Sequence, residues 1–294
     1  MKRFIKFIYQ IIPFKKNVFL IIKRFFNLGS NTYKHLHFKG VFKVSVDKEH
    51  HFLINHNGYL IENEVFWGGL YNNSWERVSL KYWTQLCKHS NHILDIGANT
   101  GIYSLIAKAI NPESKVIAFE PAKRIYRMLH KNNELNNFDI HCIEKVVSNL
   151  NGQTVLFDDL SSNHSYSATV NEEFGICIQN VAGSKVESVR LDTFIEENNI
   201  NGIDLIKIDV ERHEPEVLEG LGKYLELFQP TLLIEILNDD IAMKVDKILK
   251  GIPYLFFNIN EKVGARLVHS LSKSDGYNFL LCKKEIALKL GLIT

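Results

Sequence analysis

The chain has 294 residues, of which 46% are hydrophobic and 23% charged, with 17 glycines and 6 prolines. This composition excludes a collagen, a disordered chain and a mini-protein, and it is typical of one large α/β domain or two small ones. The four cysteines form no C-x-x-C pair, which argues against a zinc knuckle and favours a reducing, cytoplasmic setting. The net charge of +2 hides an asymmetry: residues 1–46 contain ten basic and no acidic side chains, so the remainder of the chain is acidic.

The basic N-terminal arm, residues 1–30, has apolar residues at helical spacing on both sides of Pro13. Basic residues interrupt the apolar run, so it is too short to cross a bilayer, and Pro13 followed by Lys15 and Lys16 argues against a signal peptide. Two interpretations stay open: residues 1–28 lie on an anionic membrane surface, or they pack on the body of the protein. Nucleic-acid binding is not predicted, because the interleaved residues are mostly aliphatic and the body is acidic.

The rest of the chain divides into three predicted parts. Residues 31–90 form an extension with a β-hairpin that turns at Asn57-Gly58. In residues 91–285, buried apolar strands alternate with helical patterns, which predicts an α/β fold with a mainly parallel sheet and helices on both faces. Residues 286–294 are a C-terminal tail. Ligands of such sheets bind beyond the carboxyl ends of the strands, so the functional residues are expected there.

The first strand of the main domain ends in a glycine turn, residues 95–101. Gly97 and Gly101 permit a tight turn and the close approach of a ligand, whereas Asp95 would repel a diphosphate and attract a cation. The second strand ends at Glu120, whose carboxylate can accept two hydrogen bonds from a ribose diol. These residues favour a positively charged adenosyl ligand. The alternative is a turn that binds nothing, with Glu120 capping the next helix.

Further motifs follow the glycine turn in order along the chain: Ala118-Phe119-Glu120-Pro121, Asn132 with Asn136, Val147-Ser148 with Gly152, Leu191-Asp192-Thr193-Phe194 and Ile206-Lys207-Ile208-Asp209-Val210-Glu211. With these motifs, residues 65–285 resemble the FkbM family of S-adenosylmethionine-dependent methyltransferases. The resemblance implies a class I methyltransferase (Rossmann-like) fold with a seven-stranded sheet whose last strand is antiparallel. It also implies S-adenosyl-L-methionine as the cofactor, with its methionine part held by Asp95, Gly97, Asn99 and Gly101, its ribose by Glu120 and its adenine near Val146.

The acceptor is expected at the end of the fourth strand, at Asp209-Val210-Glu211-Arg212-His213. Methyl transfer to a hydroxyl is an in-line displacement, so the enzyme must orient the hydroxyl and remove its proton. Asp209, Glu211 and His213 are the candidate catalytic residues, and an ordinary histidine pKa suits a base near neutral pH. Alternatively, the two carboxylates cap the following helix. Arg212 departs from the family, which commonly has glycine there.

No metal is predicted, although Asp209, Glu235 and Asp239 lie on one rim and could ligate Mg²⁺. Helix capping by Asp239 is the preferred interpretation of that residue. The residues and the resemblance together predict an O-methyltransferase, which acts in the cytoplasm or at the inner face of the membrane.

The resemblance alone points to the acceptor, a sugar hydroxyl of a surface glycan, a lipid-linked saccharide or a glycosylated metabolite. The competing hypotheses are an NAD-dependent oxidoreductase, which the glycine spacing opposes, and a non-catalytic scaffold docked on a membrane.

Overall fold

A mixed β-sheet of eight strands lies at the centre of the computed structural model, which describes residues 14–26, 28–72, 76–159, 168–170 and 181–294. In spatial order the strands are β13 (Gly264–Val268), β12 (Leu255–Asn260), β14 (Asn278–Cys282), β11 (Thr231–Glu235), β10 (Leu205–Ile208), β3 (His92–Ile96), β4 (Lys115–Phe119) and β5 (His141–Ile143). The five strands from β11 to β5 are parallel, whereas β14 is antiparallel to both of its neighbours.

The predicted count of seven strands is wrong, because β13 adds an eighth strand at one edge of the sheet. It pairs antiparallel with β12. None of its five residues is fully buried, so it lacks the apolar run by which buried strands are recognised in a sequence. The antiparallel strand of the prediction corresponds to β14.

The strands bury alternate residues in two hydrophobic clusters, one on each face of the sheet. In β3, Ile93 belongs to one cluster and Leu94 to the other, as the two-residue period of a strand requires. The first cluster includes residues of α1 (Lys15–Phe25), α2 (Ser30–Tyr33), α3 (Leu60–Gly68), α4 (Arg77–Cys87), α5 (Ile102–Ile110), α6 (Lys123–Leu135) and α11 (Lys284–Lys289). The second includes residues of α7 (Leu191–Glu197), α8 (Glu214–Leu221), α9 (Lys223–Phe228) and α10 (Asp239–Leu249). Helices therefore cover both faces.

The N-terminal extension contains the expected hairpin, formed by β1 (Gly40–Ser45) and β2 (His51–His56). The predicted position of its turn is wrong. The chain reverses over residues 46–50, where the Asp47 carboxylate accepts hydrogen bonds from the backbone N–H groups of Glu49 and His50. Asn57 and Gly58 instead connect β2 to α3. The side chain of aspartate offers the backbone the same kind of turn that Asn-Gly does, which is why the sequence alone does not decide between them.

Two asparagines of the α6 region bind the free edge of β2. Asn136 exchanges two hydrogen bonds with the backbone of Leu53, at 2.6 and 2.7 Å. Asn132 accepts one from the backbone of Asn55 at 3.0 Å and donates one to the carbonyl oxygen of Thr100 at 2.8 Å. The amides thus satisfy part of a strand edge and connect the hairpin to the glycine turn.

A second sheet is inserted between β5 and α7. Its four strands have the spatial order β6 (Val146–Val147), β9 (Val181–Val189), β7 (Gly152–Asp159) and β8 (Ala168–Thr169). Val146, Leu156 and Thr169 of this sheet line the cleft described below. The insertion therefore forms one wall of the site.

The arm is described only from Phe14 onward, so the amphipathic pattern predicted for residues 1–13 lies outside the described residues. Helix α1 packs on the body through Phe19, whose ring centroid lies 5.4 Å from that of Trp67 and 6.3 Å from that of Phe38. Among the residues with described structure, no helix combines the length and apolarity of a membrane span. Packing on the body, one of the two interpretations of the arm, therefore holds for the buried side of α1.

Candidate active site

A cleft opens at the carboxyl ends of β3, β4 and β10, where the sequence predicts both the donor and the acceptor residues. The structure brings together nearly all of them. Those that line the cleft are Asp95, Gly97, Asn99, Glu120, Val146, Asp209, Glu211 and His213, whereas Gly101 does not.

Gly97 is required by the close approach of two strand ends. Its φ is +79°, and a Cβ atom built on it would lie 1.8 Å from the carbonyl oxygen of Asp209. The Gly97 N–H donates to the Phe119 carbonyl at 3.0 Å, and the Asp209 N–H donates to the Ile96 carbonyl at the same distance. The turn is therefore held on both sides, and only glycine fits between β3 and β10.

Gly101 acts behind the cleft. Its φ is +95°, and an added Cβ would lie 2.6 Å from Cδ1 of Leu129 in α6. Gly101 precedes α5 and allows that helix to start close to α6. The structure thus gives it a packing role.

Asn99 and Glu120 connect the glycine turn to the end of β4. Asn99 has φ +51°, a left-handed conformation that asparagine tolerates better than most residues. Its backbone N–H donates to Oε2 of Glu120 at 3.0 Å, while Oε1 of Glu120 accepts from the N–H of Ala122 at 2.9 Å. The Glu120 carboxylate therefore links the glycine turn to the residue that precedes α6, and it also faces the cleft. A carboxylate can accept both hydrogen bonds of a ribose diol.

Asp95 is buried at the end of β3, with only 1% of its surface exposed. Its Oδ2 accepts hydrogen bonds from the backbone N–H and the hydroxyl of Ser104 in α5, at 3.0 and 2.5 Å. Burial raises the pKa of Asp95 to about 6, although the bonds from Ser104 and the charge of Lys207 oppose the shift. Asp95 still carries a negative charge at neutral pH and stabilises the amino end of α5.

Val146 lies in β6 and is buried, with Lys145 and Val147 beside it in the cleft wall. An apolar surface of this kind suits the face of an aromatic base.

Asp209 forms an ion pair with Lys207, two residues earlier in the chain. The Lys207 ammonium donates to Oδ2 of Asp209 at 3.1 Å. One third of the Asp209 side chain is exposed, whereas Lys207 is buried, with 1% exposed. The carboxylate of Asp209 therefore reaches the cleft and is paired with the buried ammonium of Lys207.

Lys207 is surrounded by three carboxyl groups, and of these the sequence predicts Asp209 and Glu235 at the site but not Glu76. Burial alone would lower the pKa of Lys207, but the charges of Asp209, Glu76 and Glu235 outweigh it and hold the pKa above its ordinary value. Glu76 accepts hydrogen bonds from Tyr103 at 2.6 Å and from Asn278 at 2.7 Å, and burial raises its pKa. A lysine inside the buried strand Leu205–Ile208 is the one signal that could have revealed this cluster.

The loop after β10 has a left-handed backbone. The φ values of Glu211 and Arg212 are +53° and +76°. The positive φ of Arg212 explains why glycine is favoured at this position, because other residues are strained there. Oε1 of Glu214 accepts hydrogen bonds from the N–H groups of Val210 and Arg212, at 3.3 and 3.2 Å. Glu214 thus caps the loop.

His213 is partly buried at the end of this loop. Its Nε2 lies 3.0 Å from the hydroxyl oxygen of Ser148, and its Nδ1 lies 3.5 Å from Oε2 of Glu216. Burial lowers the pKa of His213 to about 4. The imidazole is therefore neutral at pH 7 and a weaker base than its ordinary pKa would suggest.

The three carboxylates considered as magnesium ligands do not form a metal site. Asp239 is turned to the backbone N–H of Lys273, whose hydrogen bond it accepts at 2.7 Å. Asp209 is paired with Lys207. Over the described ranges, no group of three or more histidine, cysteine, aspartate or glutamate side chains could hold a metal ion.

The residues of the cleft fit S-adenosyl-L-methionine. Gly97 keeps the end of the turn free of side-chain atoms, and the carboxyl groups of Asp95, Glu120 and Asp209 give the cleft a negative charge that suits a sulfonium. Glu120 would hold the ribose diol, and the Val146 wall would contact the adenine.

Comparisons with known proteins agree with this chemistry. The family model of the methyltransferase FkbM domain matches residues 95–258. "Methyltransferase 1" of Beauveria bassiana is 29% identical in an alignment 143 residues long, and the match covers 44% of this chain and 57% of the relative. "Methyltransferase sdnD" of Sordaria araneosa is 31% identical in an alignment 160 residues long, and the match covers 45% of this chain and 60% of the relative. The chain thus spans less than two thirds of the length of these curated relatives.

A crystal structure of methyltransferase FkbM from Methylobacillus flagellatus KT is 15% identical, with a TM-score of 0.41, and the match covers 65% of this chain and 43% of that one. The family model covers more than half of the chain, from the glycine turn to β12. The resemblance seen in the sequence is confirmed: the chain belongs to the FkbM family of methyltransferases, and its cofactor is S-adenosyl-L-methionine.

Proposed function

We propose that this protein is an O-methyltransferase that transfers the methyl group of S-adenosyl-L-methionine to a hydroxyl group of a sugar. The observation that carries the proposal is the position of Asp209. Its carboxylate is partly exposed in the same cleft as Gly97 and Glu120 and is paired with the buried Lys207. A carboxylate at the place where the acceptor must lie can bind and deprotonate a hydroxyl.

When bound, the cofactor supplies an electrophilic methyl group. The residues of this chain supply orientation and proton removal. Asp209 accepts the hydroxyl proton as the oxygen–carbon bond forms and the carbon–sulfur bond breaks, and Lys207 fixes the direction of the Asp209 carboxylate. Glu211 lines the same side of the cleft and can accept a second hydrogen bond from a polyhydroxylated acceptor.

His213 is a less suitable base. Its Nε2 lies within hydrogen-bond distance of Ser148, and burial lowers its pKa to about 4. In this proposal His213 stabilises the loop after β10, and Asp209 removes the proton.

The sugar as acceptor is supported by membership of the FkbM family and by the carboxylates on the acceptor side, since paired carboxylates suit vicinal hydroxyls. Methylation of a nucleic-acid base is less well supported, because the strand end reads Asp209-Val210-Glu211 and lacks the Pro-Pro-aromatic corner that would hold a flipped base.

The test is methyl transfer from isotopically labelled S-adenosyl-L-methionine to glycans isolated from cells that lack this protein. We expect label in a glycan fraction as an alkali-stable methyl ether, and its loss in Asp209→Asn. Alkali-labile label would indicate a methyl ester, and label on nitrogen would refute O-methylation. If S-adenosylhomocysteine binds but none of the glycan fractions is labelled, the scaffold hypothesis replaces this one.

A further inference from the structure

Helix α1 carries an apolar stripe on the side that faces away from the protein. The stripe consists of Val18, Ile21 and Phe25, whose exposed fractions are 36, 61 and 71%, and of Phe14, which directly precedes the helix and is 79% exposed. The spacing of three and four residues places Val18, Ile21 and Phe25 on one face of α1. Four exposed apolar side chains in one row exceed the single exposed residues that are normal on a protein surface.

The opposite side of α1 fixes the helix to the protein. Phe19 is buried, with 2% of its surface exposed, and packs on Trp67 and Phe38. The Lys23 ammonium donates to the carbonyl oxygen of Phe66 in α3. The orientation of the stripe relative to the body is therefore fixed. The apolar residues of α1 lie on two sides of the helix, one of which packs on the protein while the other is exposed.

Positive charge accompanies the stripe. On a helical projection, Lys15 lies about 80° to one side of Phe25 and Arg24 about 100° to the other. Residues 1–46 contain ten basic and no acidic side chains. Aliphatic and aromatic side chains between cations are the arrangement that inserts into the headgroup region of an anionic bilayer, with the long basic side chains reaching the lipid phosphates.

We propose that the stripe of Phe14, Val18, Ile21 and Phe25 docks this protein on an anionic membrane surface. The charge of the region favours this occupant over a second copy of the chain, because two copies would bring their basic residues together. The acidic body, with 25 basic and 33 acidic residues outside the first 46, would be repelled by the same lipids. Docking would therefore orient the molecule with α1 toward the membrane.

The position of the cleft relative to α1 bears on which acceptor sugar a docked protein would reach. Helix α3 holds α1 at Phe66 and contributes Ile61 to the cleft wall, and these residues are about 7.5 Å apart along the helix axis. A docked α1 thus brings the cleft close to the lipid surface. Resting on the proposed function, this favours an acceptor sugar that is linked to a lipid over a soluble one.

The experiment is flotation of the full chain with vesicles of phosphatidylcholine, alone or mixed with phosphatidylserine. We expect binding to the mixed vesicles, weakened by added salt, and binding more than tenfold weaker for Ile21→Asp/Phe25→Asp. The matched control is Val263→Asp/Leu267→Asp, which places the same charges on the exposed residues of the β12–β13 hairpin, at 88 and 47% exposed, and should bind as the wild type does. Unchanged melting temperatures show that both variants fold.

Three results would overturn the proposal: wild-type binding by Ile21→Asp/Phe25→Asp, equal binding to both kinds of vesicle, or a change of oligomeric state in that variant without loss of vesicle binding. The last would indicate a second copy as the occupant. Binding is measured without cofactor or acceptor, so Asp209→Asn should float like the wild type. Failure of the proposed methyl transfer and failure of docking are thereby distinguished.

Discussion

Replacing Gly97 with alanine tests the geometry on which the donor site depends. The added Cβ would lie 1.8 Å from the carbonyl oxygen of Asp209, whereas ordinary contacts begin near 3.4 Å. Neither side of the turn can move away without losing hydrogen bonds. The backbone N–H of Gly97 donates to Phe119 in β4, and that of Asp209 donates to Ile96 in β3. The substitution must therefore separate the turn from the end of β10 by about 1.5 Å, or break these hydrogen bonds.

The expected magnitude has two parts. An L-residue at φ +79° costs about 1–2 kcal/mol, and the collision adds about 1–3 kcal/mol of overpacking. We expect Gly97→Ala to lower the free energy of unfolding by about 2–5 kcal/mol. A shift of about 1 Å at reacting groups costs on the order of a hundredfold in rate, so methyl transfer should fall by at least that factor.

Gly251→Ala is the matched control. Gly251 has φ +95°, and nothing lies within 4 Å of an added Cβ. Gly251→Ala should therefore have the conformational cost of about 1–2 kcal/mol, but its Cβ would meet no neighbouring atom. Gly251 also does not line the cleft. Urea denaturation and calorimetric titration with S-adenosylhomocysteine measure both variants. If Gly97→Ala and Gly251→Ala bind this product equally well, the close approach of β3 and β10 does not shape the donor site.

Three further predictions follow from the buried charges. Glu120→Ala should weaken binding of S-adenosylhomocysteine by about 1–3 kcal/mol, the usual cost of an unsatisfied buried group, and unchanged calorimetric affinity would contradict its role at the ribose. Lys207→Met should lower the free energy of unfolding by about 3–5 kcal/mol, because carboxyl groups remain buried without their cation; equal urea midpoints for variant and wild type would refute this. The pKa of Glu214 is raised from 4.5 to about 8 by burial, with Asp209 adding to the shift and backbone N–H groups opposing it. Between these values the folded protein retains a proton that the unfolded chain releases, so stability falls as the pH rises through this window. Glu214→Gln should make that slope shallower by up to about 1.4 kcal/mol per pH unit in urea titrations, and an identical slope would show that Glu214 does not titrate there.

The position of the glycine turn and of Glu120 in the cleft was predictable because these residues have a backbone reason to be where they are. Gly97 and Asn99 have positive φ values, and Glu120 terminates a buried strand before a helix. Such requirements depend on a few neighbouring residues, so they leave a local pattern. The alternation of strands and helices predicted the sheet for the same reason.

The contacts that the sequence did not predict join residues far apart in the chain. Glu76 contacts Asn278, 202 residues away, and the pairing of Asn136 with Leu53 spans 83 residues. No local pattern in the sequence predicts such contacts. The lowered pKa of His213 was not predictable for a related reason, because it depends on burial by parts of the chain that are far apart in the sequence.

The charge of the cleft also bears on the NAD hypothesis. Its lining includes carboxyl groups at Glu76, Asp95, Glu120, Asp209 and Glu211, against cations at Lys145 and Lys207. Since Lys207 is already paired with Asp209 and lies among carboxyl groups, the surface offered to a ligand beside the glycine turn is negative. A dinucleotide would bring its diphosphate to the carboxylate of Asp95, whereas a sulfonium would be attracted there. The same residues that fit S-adenosyl-L-methionine therefore disfavour NAD, and the thermal stabilisation of the protein by S-adenosylhomocysteine should exceed that by NAD.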